Sequence, residues 1–401
     1  MVQRLTYAAP RTPTRSLGHK PVLDGVRGMS WLAVFLGHAG LVPEVAVGQV
    51  AMFVFFGLSG FLITVVLSSE RGRAGRISLK NFFVRRTLRL APALVAFLAV
   101  WLAVVALFGH HAWMTTVPGV AGTGGGEPFS VALEGVGGGL LYMTNWFGLL
   151  GVFTGYVPLG HLWSLAVEEQ FYLLWAPLLV VLLMLGRRTA IIGALALAAA
   201  SFADVVWVHH AHATTPWVFY STDTRSGVFL IGGALGLLWS GRSGVARLWR
   251  RLCTPVVMAS VCVMAWSGWV FDHRVSGAVY GAAWIAVSLA APLMVMALVD
   301  RGGARPGLLS GSVATYLGRR SYALYLWHYV WLTWLRGLGL VGVAVALVAT
   351  LVCAEISWRL IEAPALRLKA RFSASDRVGV ETAPLIGLGD AGRDALVPIP
   401  A

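Results

Sequence analysis

A charge in hydrocarbon is costly, so an ionisable side chain inside a long apolar run has a partner or a purpose. This chain holds few of them, and they cluster. The stretch HLWSLAVEEQFYLLW at 161–175 places His161, Ser164, Glu168 and Phe171 at intervals of three and four, on one helical face, with Glu169 beside Glu168. Two adjacent carboxyls shielded from water each demand a cation or a proton, which suits an acid, a base or a proton relay. The structural alternative is that one of them pairs with an arginine such as Arg225 and only holds helices together. In LDGVRGMSWLAVFLGH at 23–38, Asp24 and Arg27 lie three residues apart, and His38 follows Arg27 by eleven. On a helix, three turns and roughly 16 Å separate Arg27 from His38. A histidine so placed can accept a hydroxyl proton or carry a transferred group; the alternative is an Asp24–Arg27 pair that anchors the helix and an interfacial imidazole.

The stretch NFFVRRTLRLAPAL at 81–94 gives Arg86-x-x-Arg89 with Arg85 alongside, at the mouth of an apolar run. Guanidiniums at this spacing can share one anion, and their planar fork matches phosphate. Basic residues at an inner helix end are also expected from topology alone. SYALYLWHYVWL at 321–332 puts Tyr325 and His328 on the face of Ser321. In STDTRSG, Asp223 and Arg225 are two apart, so they point to different sides and bond different neighbours. Other chemistries are excluded: Gly57-Leu58-Ser59-Gly60 lacks the spacing of a nucleophile elbow, and no GxxxxGK[ST] or HExxH occurs. Cys253, Cys262 and Cys353 form no ligand pattern, and His110, His111, His209, His210 and His212 read as loop residues, so no metal site is expected.

The elements that position these residues must be membrane helices. Of 401 residues, 58% are hydrophobic and only 12% charged, which excludes an ordinary soluble protein. Apolar runs predict spans near 22–39, 48–67, 91–109, 161–185, 190–208, 218–239, 255–271, 278–299, 321–336 and 338–358. The fold class is thus an all-α polytopic bundle of about ten helices. Residues 137–153, after a glycine run at 122–126, suggest a short re-entrant or interfacial piece. The net charge of +14 would suggest nucleic acid in a soluble protein, but here the basic residues sit between apolar runs. With ten spans and both termini in the cytoplasm, 27 of the 31 Lys and Arg fall inside and only Arg274 and Arg336 outside. No cleavable leader is apparent, since the first twenty residues lack an apolar core. The expected division is a cytoplasmic segment at 1–21, a membrane domain at 22–372 and a disordered tail at 373–401.

Together these stretches, with FVFFGLSGFLI at 53–63, TDTRSGVFLIGGALG at 222–236 and SWRLIEAPALR at 357–367, resemble the acyltransferase-3 family of bacterial membrane O-acyltransferases, in the same order and at similar spacing. The resemblance implies transfer of an acyl group, commonly acetyl, from cytoplasmic acyl-CoA to a hydroxyl of a sugar, polysaccharide or glycosylated metabolite, with no tightly bound cofactor. It implies a bacterial plasma membrane, a ten-helix core and a stand-alone form without a fused esterase-like domain. It also makes Arg27, His38, Arg86, Arg89 and Glu168 the functional residues. Combined with the reading of the residues, His38 and Glu168 become the catalytic pair, with Glu168 orienting His38 or relaying its proton. Arg85, Arg86 and Arg89 hold the phosphates of coenzyme A. Arg27, His161, Ser164, Glu169, Arg225, Tyr325 and His328 complete the binding site. The rivals are a proton-coupled transporter, against which the lack of an internal repeat counts, and an acyltransferase of macrolide-type secondary metabolites.

Overall fold

With no water in a bilayer core, each backbone N–H and C=O has to be satisfied within the chain, and a helix does this locally. The computed structural model accordingly contains only helices as regular elements among the residues it describes, which are 15, 17–108, 128–151, 159–212, 216–242, 245–275, 277–301 and 307–368. The glycine run at 122–126, His110, His111 and the tail from 373 lie outside these residues, as do the side chains of His210 and His212. In chain order the helices are α1 (Pro21–His38), α2 (Gln49–Ala74), α3 (Leu79–Phe108), α4 (Pro128–Leu140), α5 (Thr144–Leu149), α6 (Trp163–Leu185), α7 (Arg187–His212) and α8 (Pro216–Tyr220). They continue with α9 (Thr222–Ser240), α10 (Arg247–Asp272), α11 (Ala278–Arg301), α12 (Ser312–Arg319), α13 (Ser321–Leu335) and α14 (Gly339–Ser357).

Seven stretches among the described residues are long and apolar enough to cross a membrane, so the protein is a multi-pass membrane protein. One of them, Ser321–Leu368, holds two helices: a 3-10 turn at Arg336–Leu338 and a positive φ at Gly339 fold α14 back onto α13. Helices α1 and α9 fall outside the seven, and each carries an acid and an arginine in its first two turns, Asp24 with Arg27 and Asp223 with Arg225. Each of the ten expected spans overlaps one of α1, α2, α3, α6, α7, α9, α10, α11, α13 and α14.

Several boundaries differ from expectation: α2 runs on to Ala74, α7 to His212, so that His209, His210 and His212 are helical, and α10 begins at Arg247. Helix α3 begins at Leu79, twelve residues ahead of the apolar run, because Ser78 caps it by accepting the backbone N–H of Asn81 at 3.3 Å and no breaker intervenes before Pro92. Arg85, Arg86 and Arg89 therefore stand on the second and third turns of a continuous helix. Residues 137–151 form the end of α4, a turn in which Tyr142 has φ 53°, and α5; at 13 and 6 residues neither helix is long enough to span.

Helix α2 lies at the centre, packed against α1, α6, α9 and α11. Its approach to α9 is close enough that a methyl group on Gly60 would strike the Phe229 carbonyl and one on Gly232 the Gly57 carbonyl. Small residues at such crossings let helix backbones touch where lipid offers no hydrophobic drive for association. Helix α1 meets α12 in the same way, through Gly28 and Gly318.

Candidate functional site

Helices α1, α2, α3, α6 and α13 surround a cavity of about 290 Å³ whose lining includes Arg27, Ser59, Arg85, Arg86, Arg89, Ser164, Glu168, Tyr172, Tyr322 and Tyr325. The interval of three between Arg86 and Arg89 turns both toward it, as helical periodicity requires. Their surroundings differ. Arg86 is enclosed: its Nε donates to Glu169 Oε2 at 2.8 Å, an Nη reaches the other oxygen of Glu169, and its guanidinium lies 3.5 Å over the ring of Tyr172. Glu168 Oε1 stands 3.8 Å from Arg86 and accepts hydrogen bonds from Ser59 Oγ at 2.6 Å and Tyr172 Oη at 2.7 Å. Arg85 pairs with Glu70 at 3.1 Å. Arg27 and Arg89, in contrast, have no carboxylate at ion-pair distance among the described residues. The Nε of Arg27 is buried without a partner, and Arg89 keeps exposed surface while facing the charges of Arg27 and Arg86. Two guanidiniums without an ion-pair partner, in a cavity that Glu168 also lines, make it a candidate anion site.

A second cavity, of about 460 Å³, is lined by His38, Glu44, Gln49, Asn145, His161, Trp163, Tyr220, Tyr325 and Tyr329 among others. Met52 and Tyr325 line both cavities, so the two adjoin there. The Tyr325 hydroxyl donates to the His161 carbonyl at 2.6 Å and accepts from Ser164 Oγ at 2.5 Å. His38 Nδ1 is 2.9 Å from His328 Nε2, and His38 Nε2 is 3.5 Å from Glu44 Oε1. The His38 and His328 rings are within 13° of parallel and meet edge to edge with centroids 5.1 Å apart, Tyr329 packs edge-on against His38 at 5.0 Å, and His161 stacks on Tyr329 at 5.0 Å.

The structure thus gathers Arg27, Arg85, Arg86, Arg89, Ser164, Glu168 and Tyr325 around the first cavity, and His38, His161 and Tyr325 around the second. Glu169 and His328 line neither but bond to residues that do. Glu168 and His38 are not brought together: Glu168 faces the arginine cavity and has no bond to the imidazole. Arg225 stands apart, wholly buried among the rings of Phe53, Trp163, Phe219 and Trp284, with its Nε donating to the Phe219 carbonyl at 2.7 Å. The arginine that pairs the glutamates is therefore Arg86, because α3 and not α9 presents its cation to that face of α6. Asp24 likewise binds His19 at 2.9 Å and Arg319 at 3.5 Å, not Arg27. Asp223 and Arg225 do bond different neighbours, the former accepting from Ser221 and from the Thr224 N–H.

Sequence reasoning missed Glu44, Asn145 and Gln170. Gln170 donates to the Tyr142 carbonyl at 2.6 Å and to Asn145 Oδ1 at 3.0 Å, and Asn145 donates to Thr222 Oγ1 at 3.2 Å, which ties α5 and α9 to α6 at the edge of the second cavity. A search for ionisable groups inside apolar runs passes over neutral amides and over Glu44, which lies between two runs; the adjacency of Gln170 to the glutamate pair was the available signal.

A family model described as an acyltransferase domain matches residues 21–359. Similar proteins include the "Putative peptidoglycan O-acetyltransferase YrhL" of Bacillus subtilis (strain 168), 31% identical over 89% of this chain and 56% of that protein. Another is the peptidoglycan O-acetyltransferase OatA of Listeria monocytogenes (serovar 1/2a, strain EGD-e), 27% identical over 88% of this chain and 57% of that protein. The chain thus spans a little over half the length of these relatives. No solved structure gives a significant match.

Proposed function

The chain belongs to the acyltransferase-3 family, and from that premise we propose that it moves an acetyl group from acetyl-CoA to a sugar hydroxyl, with the donor held in the arginine cavity and the acceptor in the histidine cavity. The observation that carries this reading is the pair of guanidiniums without a carboxylate at ion-pair distance among the described residues, Arg27 and Arg89, in a cavity that adjoins the one lined by His38. The phosphates of coenzyme A are the anion they suit, and the pantetheine arm leads the thioester past Met52 and Tyr325 toward His38. His38 takes the proton as the acceptor oxygen attacks the thioester carbonyl; the tetrahedral intermediate then expels the thiolate, which recovers the proton. Arg85 and Arg86, already paired with Glu70 and Glu169, position the helices and add a background of positive charge. Glu168 compensates Arg86 and fixes Ser59 and Tyr172. The relatives' names favour a cell-wall glycan as acceptor.

The charge distribution supports ten crossings with both termini in the cytoplasm of a bacterial cell, which puts the arginines toward the inner face and His38 toward the outer. Donor and acceptor then enter from opposite sides. The test is release of free thiol from acetyl-CoA by the purified protein with a glycan acceptor. Wild type should release thiol, His38→Ala should not while still binding acetyl-CoA, and Arg27→Ala/Arg89→Ala should lose donor binding. Unimpaired turnover in His38→Ala would remove the base; unimpaired donor binding in the double variant would remove the donor site.

A further inference from the structure

His328 is completely buried, beside a candidate base that it touches by one nitrogen while its other nitrogen touches the backbone. Its Nδ1 lies 2.7 Å from the Tyr325 carbonyl. A carbonyl oxygen can only accept, so this Nδ1 carries a proton. In the neutral ring Nε2 is then bare and can only accept. The atom 2.9 Å away, His38 Nδ1, must supply the proton of that second bond. The lone pair of His38 is then on Nε2, which is turned toward Glu44 on the wall of the second cavity. His161 does not compete for either nitrogen: its Nε2–H donates to the Leu326 carbonyl at 3.2 Å.

We propose that His328 is a positioning residue that locks His38 in the Nδ1-protonated tautomer and so presents a bare Nε2 to the acceptor hydroxyl. The proposal rests on the acetyl-transfer reading above. An unconstrained imidazole samples both tautomers, and the wrong one offers an N–H where a base is needed. The lock also survives the reaction. When Nε2 takes the proton from the acceptor O–H and the oxygen bonds to the thioester carbon, Nδ1–H keeps donating to His328, so no ring has to turn. Glu44, 3.5 Å from Nε2, becomes the counter-charge of the imidazolium. After the C–S bond breaks, the thiolate takes that same proton and His38 returns to its starting tautomer.

The test reads the tautomer directly, by 15N NMR of histidine-labelled full-length protein in lipid nanodiscs, with the His38 signals identified by their loss in His38→Ala. The expected wild-type spectrum has a protonated Nδ1 and a bare Nε2 on His38. His328→Gln, whose amide oxygen can still accept from His38, should keep that tautomer and hold kcat within about tenfold of wild type. His328→Phe removes the acceptor, and should mix the tautomers and lower kcat by about 100-fold or more while KM for acetyl-CoA changes less than about twofold. A His38 protonated on Nε2 in wild type, or a His328→Phe protein with the tautomer unchanged, overturns the proposal. If His328→Phe does not fold, the wild-type spectrum and His328→Gln still decide. The expected tautomer together with a fully active His38→Ala would sink the general-base reading and leave the lock standing; the wrong tautomer with an inactive His38→Ala would do the reverse.

Discussion

At the scale of single residues, the three arginines of α3 carry the same charge in very different states. Arg86 makes a two-point pair with Glu169 against the ring of Tyr172, and breaking such a largely buried pair costs at most about 3–5 kcal/mol, less where a second carboxylate such as Glu168 stands near the surviving arginine. Glu169→Ala and Arg86→Ala should each lower the thermal unfolding temperature in detergent, and the double variant should lose clearly less than the two losses added together. Additive losses would mean that the pair is not what holds these helices. Arg89 has no such partner, and removing it should scarcely move the unfolding temperature. Its effect belongs in donor binding: one charge-assisted contact to a phosphate, about 1.5–3 kcal/mol, converts to roughly a 10- to 100-fold rise in KM for acetyl-CoA. Equal effects of Arg86→Ala and Arg89→Ala on both measurements would refute the distinction between a structural and a binding arginine.

At the scale of elements, the close crossing of α2 and α9 places Ser59 of α2 and the aromatic cage around Arg225 of α9 on one rigid frame. Gly60→Val sets a branched side chain against the Phe229 carbonyl, where even a methyl group clashes. It should lower folded yield by size-exclusion chromatography, whereas Gly137→Ala, with nothing near the added methyl, should not. Equal yields would show that the crossing can spread without harm. The apolar runs made the helices legible in the sequence, and helical spacing made the shared faces legible, as with Arg86 and Arg89 or Ser164 and Glu168. Spacing says which way a residue points on its own helix but not which helix stands opposite. For that reason Glu168 could be assigned to His38, and an arginine of α9 offered to the glutamates, when α2 and α3 occupy that side. The early start of α3 escaped notice because its first turns are polar, and hydropathy marks only the part of a helix that lipid or core requires to be apolar.

At the scale of the whole molecule, the direction of transfer depends on how many times the chain crosses between α2 and α10. On the ten-crossing reading, α3, α6, α7 and α9 make four crossings, which returns the α9–α10 connection to the side of the α2–α3 connection; a further crossing by the α4–α5 segment would put the two on opposite sides. Single cysteines decide it, in a chain whose Cys253, Cys262 and Cys353 have been replaced. Arg76→Cys and Arg242→Cys should both resist a membrane-impermeant maleimide in intact cells and react after permeabilisation. Arg336→Cys, at the exposed turn between α13 and α14, should react in intact cells. Protection of Arg76→Cys and Arg336→Cys with labelling of Arg242→Cys would reveal an eleventh crossing and reverse the later half of the chain. Labelling of Arg76→Cys in intact cells would turn the arginine cavity away from the cytoplasm, and an anion other than coenzyme A would have to be sought for Arg27 and Arg89.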